Sequence, residues 1–436
     1  MERILIFIKK LIPKKIFNAL QPAYHFALGY LAAFLYGNPS EKMIVVGVTG
    51  TTGKTTVVYM IAEILKSAGY KVGYISTALF GDGEKEWLND RKMTMLGRFF
   101  TQKMLRNMQK NKCDVAIVET TSQGIVQFRH RFINYDILLM TGLYPEHVEA
   151  HGGFENYKKA KGELFAHLKN CRRKKIQGRE IVKTSIINAD DEHSEYFLNF
   201  WAEKKITYGE NKGEIRALNV SFDRQGIGFS LNGTEMKMQI IGEFNVMNAL
   251  AAAAVALSLN IPIEKIKKGL AEIKGVPGRL EKIEGPNFTV IVDYAFEPNA
   301  LAKLYETVKI LPHQKIIHVL GSTGGGRDKA RRPKLGKLAG DNANYVIITN
   351  EDPYDENPLQ IIDEVATGME NKKEAEDFWK ILDRREAIRK ALMLANENDI
   401  VLITGKGSEQ AICVADGRMV PWDDRKVVRE ELKKIK

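Results

Sequence analysis

Gly47-Val48-Thr49-Gly50-Thr51-Thr52-Gly53-Lys54-Thr55-Thr56 follows the apolar run Met43 to Val48 and precedes a helical pattern from Val57 to Ala68. A short run rich in valine and isoleucine reads as a buried strand. Gly47 and Gly53 stand at the spacing G-x-x-x-x-G-K-S/T, so the stretch reads as a phosphate-binding loop between a strand and a helix. Glycine lets the backbone curl until several N–H groups face one set of phosphate oxygens, and the following helix adds the positive end of its dipole. On this reading Gly50, Thr51, Thr52, Gly53 and Thr56 cradle a nucleotide. Lys54 reaches its β- and γ-phosphates, and Thr55 offers a hydroxyl to Mg2+. The fold class that follows is α/β.

Working outward, a second strand-like run, Val115 to Val118, ends in Glu119-Thr120-Thr121-Ser122. A carboxylate at the end of a neighbouring strand is where a further Mg2+ ligand belongs. Asn245 and Asn248 stand three residues apart at the start of an alanine-rich helix, so both can face one ligand, and Asn245 can also serve as its N-cap. Pro277-Gly278 marks a joint. Beyond it, Ile316 to Leu320, Tyr345 to Thr349 and Ile400 to Ile403 are strand-like runs separated by helical stretches. Each precedes a candidate binding loop: Gly321 to Asp328, Asn350 to Tyr354, and Gly405 to Glu409. The expected organisation is a helical segment at 1–42, a P-loop ATPase domain at 43–275, and a Rossmann-like α/β domain at 276–436.

The 436 residues suffice for two or three cores, and 44% hydrophobic with 27% charged residues is an ordinary soluble balance. The formal net charge of +11 suits anionic substrates. No aromatic–basic pattern or zinc spacing points to nucleic acid. Cys113, Cys171 and Cys413 are widely separated, which suits a reducing cytoplasm. Residues 16–40 carry no Asp, Glu, Lys or Arg, and Lys9, Lys10, Lys14 and Lys15 precede them. Asn18, Gln21, Pro22 and His25 argue against a spanning helix. Phe17, Leu20, Tyr24, Leu28, Leu31 and Leu35 instead form a helical stripe. Two readings stay open: peripheral membrane contact through residues 16–36, or a helix packed on the enzyme itself or a dimer partner.

The loop Gly50-Thr51-Thr52-Gly53-Lys54-Thr55-Thr56 resembles the T-G-T-N-G-K-T/S-T loop of Mur ligases and folylpolyglutamate synthases, with Thr52 in place of asparagine. Glu119-Thr-Thr-Ser-Gln-Gly with Arg129 resembles the E-x-S-S-H-G…R segment of the Mur ligases that add the third peptide residue. Pro145-Glu146-His147-Val148-Glu149-Ala150-His151, Tyr157 and Ala160-Lys161-x-x-Leu164-Phe165 are similar to the D-H-L-D-x-H…Y…A-K-x-x-L-F block. Asn188-Ala189-Asp190-Asp191, Gly242-x-Phe244-Asn245-x-x-Asn248, Val276-Pro277-Gly278-Arg279-x-Glu281 and Asp293-Tyr294-Ala295 follow in the family's order. So do Gly324-Gly325-Gly326-Arg327-Asp328, Asp383-Arg384-Arg385-x-Ala387-Ile388 and Gly405-Lys406-Gly407-x-Glu409.

The resemblance implies an ATP-dependent ligase. A carboxylate of a muramoyl-dipeptide takes the γ-phosphoryl group, and an amine then displaces phosphate. It implies that Lys54, Glu119, His147, Lys161 and Arg279 are catalytic, with Thr55, Glu119, His147 and Lys161 serving Mg2+. Lys161 matches a lysine that CO2 carbamylates in this family. Asn245 and Asn248 would contact adenine, Arg279 the phosphates and Asp293 the ribose. Thr94, Thr121, Ser122 and Arg129 would meet the acceptor, and Glu351, Asp352, Gly405 and Glu409 the amino acid.

Departures are also plain. Phe296, Ser408 and Gln123 replace family histidines, and Gly142 replaces an asparagine. Glu351-Asp352-Pro353-Tyr354 aligns with the D-N-P-R loop of diaminopimelate-adding enzymes, whose arginine grips a distal carboxylate. Tyr354 cannot do so, and three carboxylates nearby predict a lysine-like amino acid. Some forty residues before the first strand are too few for the usual uridine-binding domain, which predicts a different hold on the acceptor, UDP- or lipid-linked. Two alternatives are a folylpolyglutamate synthase-like ligase and a non-catalytic nucleotide-binding regulator.

Overall fold

The structure, a computed structural model, describes residues 14–145, 151–223, 226–326 and 329–435. Strand Ile44–Thr49 lies inside an eleven-stranded sheet, paired in parallel with Val115–Glu119 on one side and Ile137–Met140 on the other. Its side chains alternate between two cores. Ile44, Val46 and Val48 join the core on the face of helix Lys54–Ser67, and Met43 and Val45 join the opposite one. Val115 and Ile117 share the first face, so the period of two aims Glu119, paired with Val48, towards the same helix. Gly47 sits where the Tyr135 ring and Leu138 leave no room, for an added Cβ would lie 2.8 and 2.7 Å from them.

The sheet continues in parallel through Thr184–Asn188, Lys204–Gly209 and Ile215–Asp223, and is capped by the antiparallel strands Gly226–Leu231 and Thr234–Met238. Beyond Val115–Glu119 it runs through Val72–Ile75 to the short strands Leu79–Gly81 and Glu86–Leu88. Helix Phe244–Ser258 buries its whole alanine run against helix Lys54–Ser67. Small side chains there let the helix carrying the phosphate loop sit close to the helix carrying Asn245 and Asn248.

A second sheet of six strands has the order Glu281–Glu284, Thr289–Val292, Ile400–Ile403, Ile316–Leu320, Tyr345–Thr349, Phe378–Ile381. All neighbours pair in parallel except the first two. Three of these strands match the expected runs residue for residue. Their carboxyl ends carry Asp293, Gly321, Asn350 and Thr404, so four loops emerge along one edge.

Helix Lys14–Leu35 docks through small residues. Ala32 and Ala33 are buried, and a Cβ on Gly29 would lie 3.2 Å from the Phe132 ring. The helix does pack on the enzyme; of the expected stripe Leu28 is half-buried, and the side chains of Phe17 and Leu20 lie outside the described residues. Tyr24, Leu31 and Leu35 are exposed, as are Phe26, Tyr30 and Phe34. Small residues let the helix sit against Phe132 and helix Arg98–Lys110, which leaves Tyr24, Leu31 and Leu35 outward. Among the described residues no helix is long and apolar enough to cross a membrane.

Candidate active site

The loop after Ile44–Thr49 is held open by its neighbours. Thr51 N–H donates to Gly142 O at 2.8 Å, Thr141 Oγ1 donates to Thr52 O at 2.6 Å, and Thr51 Oγ1 lies 3.1 Å from the Tyr157 hydroxyl. Gly53 adopts φ +79° immediately before the helix, which begins at Lys54. Among the described residues, the N–H groups of Thr52, Gly53, Lys54, Thr55 and Thr56 have no acceptor. Donors turned together at a helix start form an anion-binding concavity. The Lys54 ammonium lies over the loop, donating to Gly50 O at 3.0 Å and Thr51 O at 2.7 Å.

The Thr55 hydroxyl donates to the buried Glu119 carboxylate at 3.0 Å. Thr77, at the end of the adjacent strand, gives Glu119 both its N–H, at 2.8 Å, and its hydroxyl, at 2.9 Å, and the same hydroxyl reaches Thr94. A hydroxyl and a carboxylate converging beside phosphate-directed amides fit a hard cation that takes oxygen ligands and retains phosphate oxygens and water. Lys161 is 1% exposed on helix Phe154–Leu168; its ammonium donates to Gly50 O at 2.7 Å and stands 4.7 Å from the Tyr157 ring centroid. His147 lies outside the described residues, as do Arg327 and Asp328.

Asn248 donates to Asn245 Oδ1 at 2.8 Å, and Asn245 donates to Ile241 O at 2.8 Å. The N-cap expected of Asn245 is therefore not made. The helix begins at Phe244, so Asn245 is already inside its first turn. Across the cleft, the Arg279 guanidinium stacks on Tyr294 at 4.2 Å. Asp293 accepts the N–H groups of Leu280 and Ala295 at 2.7 Å each. Burial raises the Asp293 pKa, against the pull of Arg279 and these N–H groups.

The far end is ionic. Asp352 and Glu409 accept from Lys406 at 2.9 and 2.6 Å, and from Lys92 at 2.5 and 3.0 Å. Glu351 is 3% exposed, with Oε1 bound by the Thr323 hydroxyl at 2.7 Å and Oε2 without a partner among the described residues. Burial and the neighbouring Asp352 charge raise its pKa. Tyr354 has φ +51°, with its N–H on Cys413 O. Elsewhere along the wall, Arg129 donates to Gln127 Oε1 and Met95 O, and Ser122 Oγ lies 3.0 Å from His151 Nε2.

One cleft of about 850 Å³ lies between the two sheets, lined by the phosphate loop, Glu119, Lys161, Asn245, Asn248, Arg279, Asp293, Asp352 and Glu409, with Lys406 and His151 outside that lining. Every site residue named from the sequence lines it, His147 apart. The sequence reading missed Thr77 and Lys92, which line it too, and it named Tyr157 and Tyr294 within motifs without giving either a binding role.

Comparisons with known proteins come from both halves of the chain. The Mur ligase middle domain matches residues 48–256, and the Mur ligase glutamate ligase domain matches residues 278–407. A UDP-N-acetylmuramoyl-L-alanyl-D-glutamate–2,6-diaminopimelate ligase of Halalkalibacterium halodurans is 37% identical over 93% of this chain and 82% of its own length. A UDP-N-acetylmuramyl-tripeptide synthetase of Roseiflexus sp. is 36% identical over 95% and 83%. A solved UDP-N-acetylmuramoyl-L-alanyl-D-glutamate–2,6-diaminopimelate ligase superposes with TM-score 0.62 at 27% identity, over 95% of this chain and 83% of that one.

Proposed function

The chain belongs to the Mur ligase family, and from that premise we propose how its cleft works. It is an ATP-dependent, ADP-forming ligase that adds an amino acid to a muramoyl-peptide precursor of peptidoglycan. Relatives matched over nearly the whole chain leave the folylpolyglutamate-like and regulatory alternatives without support.

Two anions must be brought together, so the protein's task is positioning and charge neutralisation. Loop amides 52–56 and Lys54 hold the triphosphate, with Lys54 trading its carbonyl partners for phosphate oxygens. Thr55 and Glu119 hold Mg2+, which shields the phosphates when bound. An acceptor carboxylate oxygen, steered by Arg129, Thr94, Thr121 and Ser122, bonds to the γ-phosphorus as the bond to the ADP oxygen breaks. The incoming amine, having lost a proton, then attacks the acyl carbon. The C–N bond forms as the C–O bond to phosphate breaks, and phosphate leaves with that oxygen and the amine's second proton. Asn245, Asn248 and Asp293 hold the nucleoside, and Arg279 meets the phosphates from the joint. The Thr55–Glu119 contact beneath unpaired loop amides carries this reading. Mass spectrometry of products from ATP, a UDP-muramoyl-dipeptide and an amino-acid mixture tests it. A mass gain of one amino-acid residue is expected, and ATP consumption without coupling overturns it.

Four finer readings accompany it. Residues 43–275 and 276–436 act as the two domains that close on the substrates. Lys161, buried beside Gly50, is carbamylated, and 13C-bicarbonate NMR is expected to show a carbamate resonance that K161A lacks. The carboxylates of Glu351, Asp352 and Glu409 favour a lysine-like side chain, so L-lysine is expected to outcompete diaminopimelate. The exposed aromatic side of helix Lys14–Leu35 favours peripheral membrane contact. Flotation with anionic vesicles, lost in F26S/Y30S/F34S, tests that contact.

A further inference from the structure

Lys92 belongs to the first half of the molecule, on the segment between strand Glu86–Leu88 and helix Arg98–Lys110. Its side chain crosses the cleft, and its ammonium lies 2.5 Å from Asp352 Oδ2 and 3.0 Å from Glu409 Oε2. The side chain is 6% exposed. These are two of the carboxylates assigned above to the incoming amino acid. With Lys406 on the same pair, two ammonium groups face two carboxylates. A third cation would arrive at a site whose charge is already matched.

The two lysines are not equivalent. Lys406 is completely buried within its own loop, between Gly405 and Gly407. Lys92 comes from the opposite half, at φ +48°, a conformation that an L side chain rarely adopts. Its long stem can swing away without breaking either core, and the released chain regains rotamer freedom. The same segment carries Thr94, bonded to Thr77, and Met93 and Met95, both bonded by Arg129. It therefore touches the amine end and the acceptor end of the cleft at once.

We propose that Lys92 is an intramolecular occupant of the amino-acid side-chain subsite, and that a cationic amino acid binds by exchanging its ammonium for that of Lys92. This rests on the lysine-like reading above. The exchange sets selectivity: only a side chain that replaces the lost charge on Asp352 and Glu409 displaces Lys92 without leaving buried carboxylates unpaired. Neutral side chains cannot.

Steady-state kinetics on the full chain with ATP, UDP-muramoyl-dipeptide and either L-lysine or diaminopimelate tests this. Lys92→Met keeps the stem and removes the charge. It is expected to lower KM for L-lysine about tenfold, with kcat within about threefold of the parent. Lys92→Arg keeps a competing cation and is expected to hold KM at or above the parental value, which tests the proposal even if Lys92→Met folds poorly. An unchanged or higher KM for L-lysine in Lys92→Met overturns the exchange while leaving the lysine-like reading intact. Selective loss of diaminopimelate use in Lys92→Met also overturns it, for Lys92 would then be a ligand for the distal carboxylate. A parent enzyme that couples only neutral amino acids defeats both readings.

Discussion

At Gly53 the backbone turns through φ +79°, and an added Cβ would lie 2.5 Å from Asn248 Oδ1. G53A is therefore expected to cost about 1–2 kcal/mol in backbone strain alone and to push Asn248 off its bond with Asn245. Loss of ATP affinity in calorimetry, with the far-UV spectrum unchanged, is the expected result. Glu119 tests the metal reading. E119Q keeps the shape but halves the acceptor capacity facing Thr55 and Thr77, and a drop in turnover of roughly 100-fold is expected. Glu119 was legible in the sequence because it ends a strand next to the loop, and strand ends are local facts. Thr77 and Lys92 were not. Thr77 matters only because Val72–Ile75 happens to pair with Val115–Glu119, and Lys92 because a loop from one half reaches a loop of the other. No spacing in the chain encodes either meeting.

Among elements, the central strand owes its placement to a buried charge cluster. Asp136, fully buried, accepts from Val45 N–H at 2.8 Å and pairs with Lys174 at 2.5 Å and Lys183 at 2.8 Å. Lys174 also ties Ser40 O, Met43 O and Asn134 O, which fixes the chain as it runs from the N-terminal helix into the strand. D136N leaves two buried ammonium groups short of charge, and a loss of about 3–5 kcal/mol is expected, read as a lower denaturant midpoint. Two strands of the first sheet and three of the second were legible because buried parallel strands are continuous apolar runs. The docking side of helix Lys14–Leu35 was not. Periodicity located its bulky stripe, but the closest contact is made by Gly29, Ala32 and Ala33, whose small size leaves little hydrophobic signal.

Across the whole molecule, charge is concentrated where the halves meet. Glu351 is pushed upward in pKa by burial and by Asp352, so the folded state holds its proton more tightly than the unfolded chain does. Its contribution to stability is full below the ordinary carboxylate range and is lost as pH rises through the raised value. E351Q removes that loss, and its melting temperature is expected to exceed the parent's by a margin that widens from acid to neutral pH while amino-acid coupling falls. Scanning calorimetry at several pH values checks the sign.

Gly278 and Gly407 lie so close that a Cβ on Gly278 would stand 2.1 Å from Ser408 N and one on Gly407 2.7 Å from Gly278 O. Pivot and grip are thus wedged into a single stiff piece. If the two halves close on the substrates as proposed, Glu409 and Lys406 would swing through the same arc as the pivot, keeping their spacing to each other while only their distance to the phosphate loop changes. Reactants would then be brought into alignment by rotation alone, with no rearrangement inside the grip.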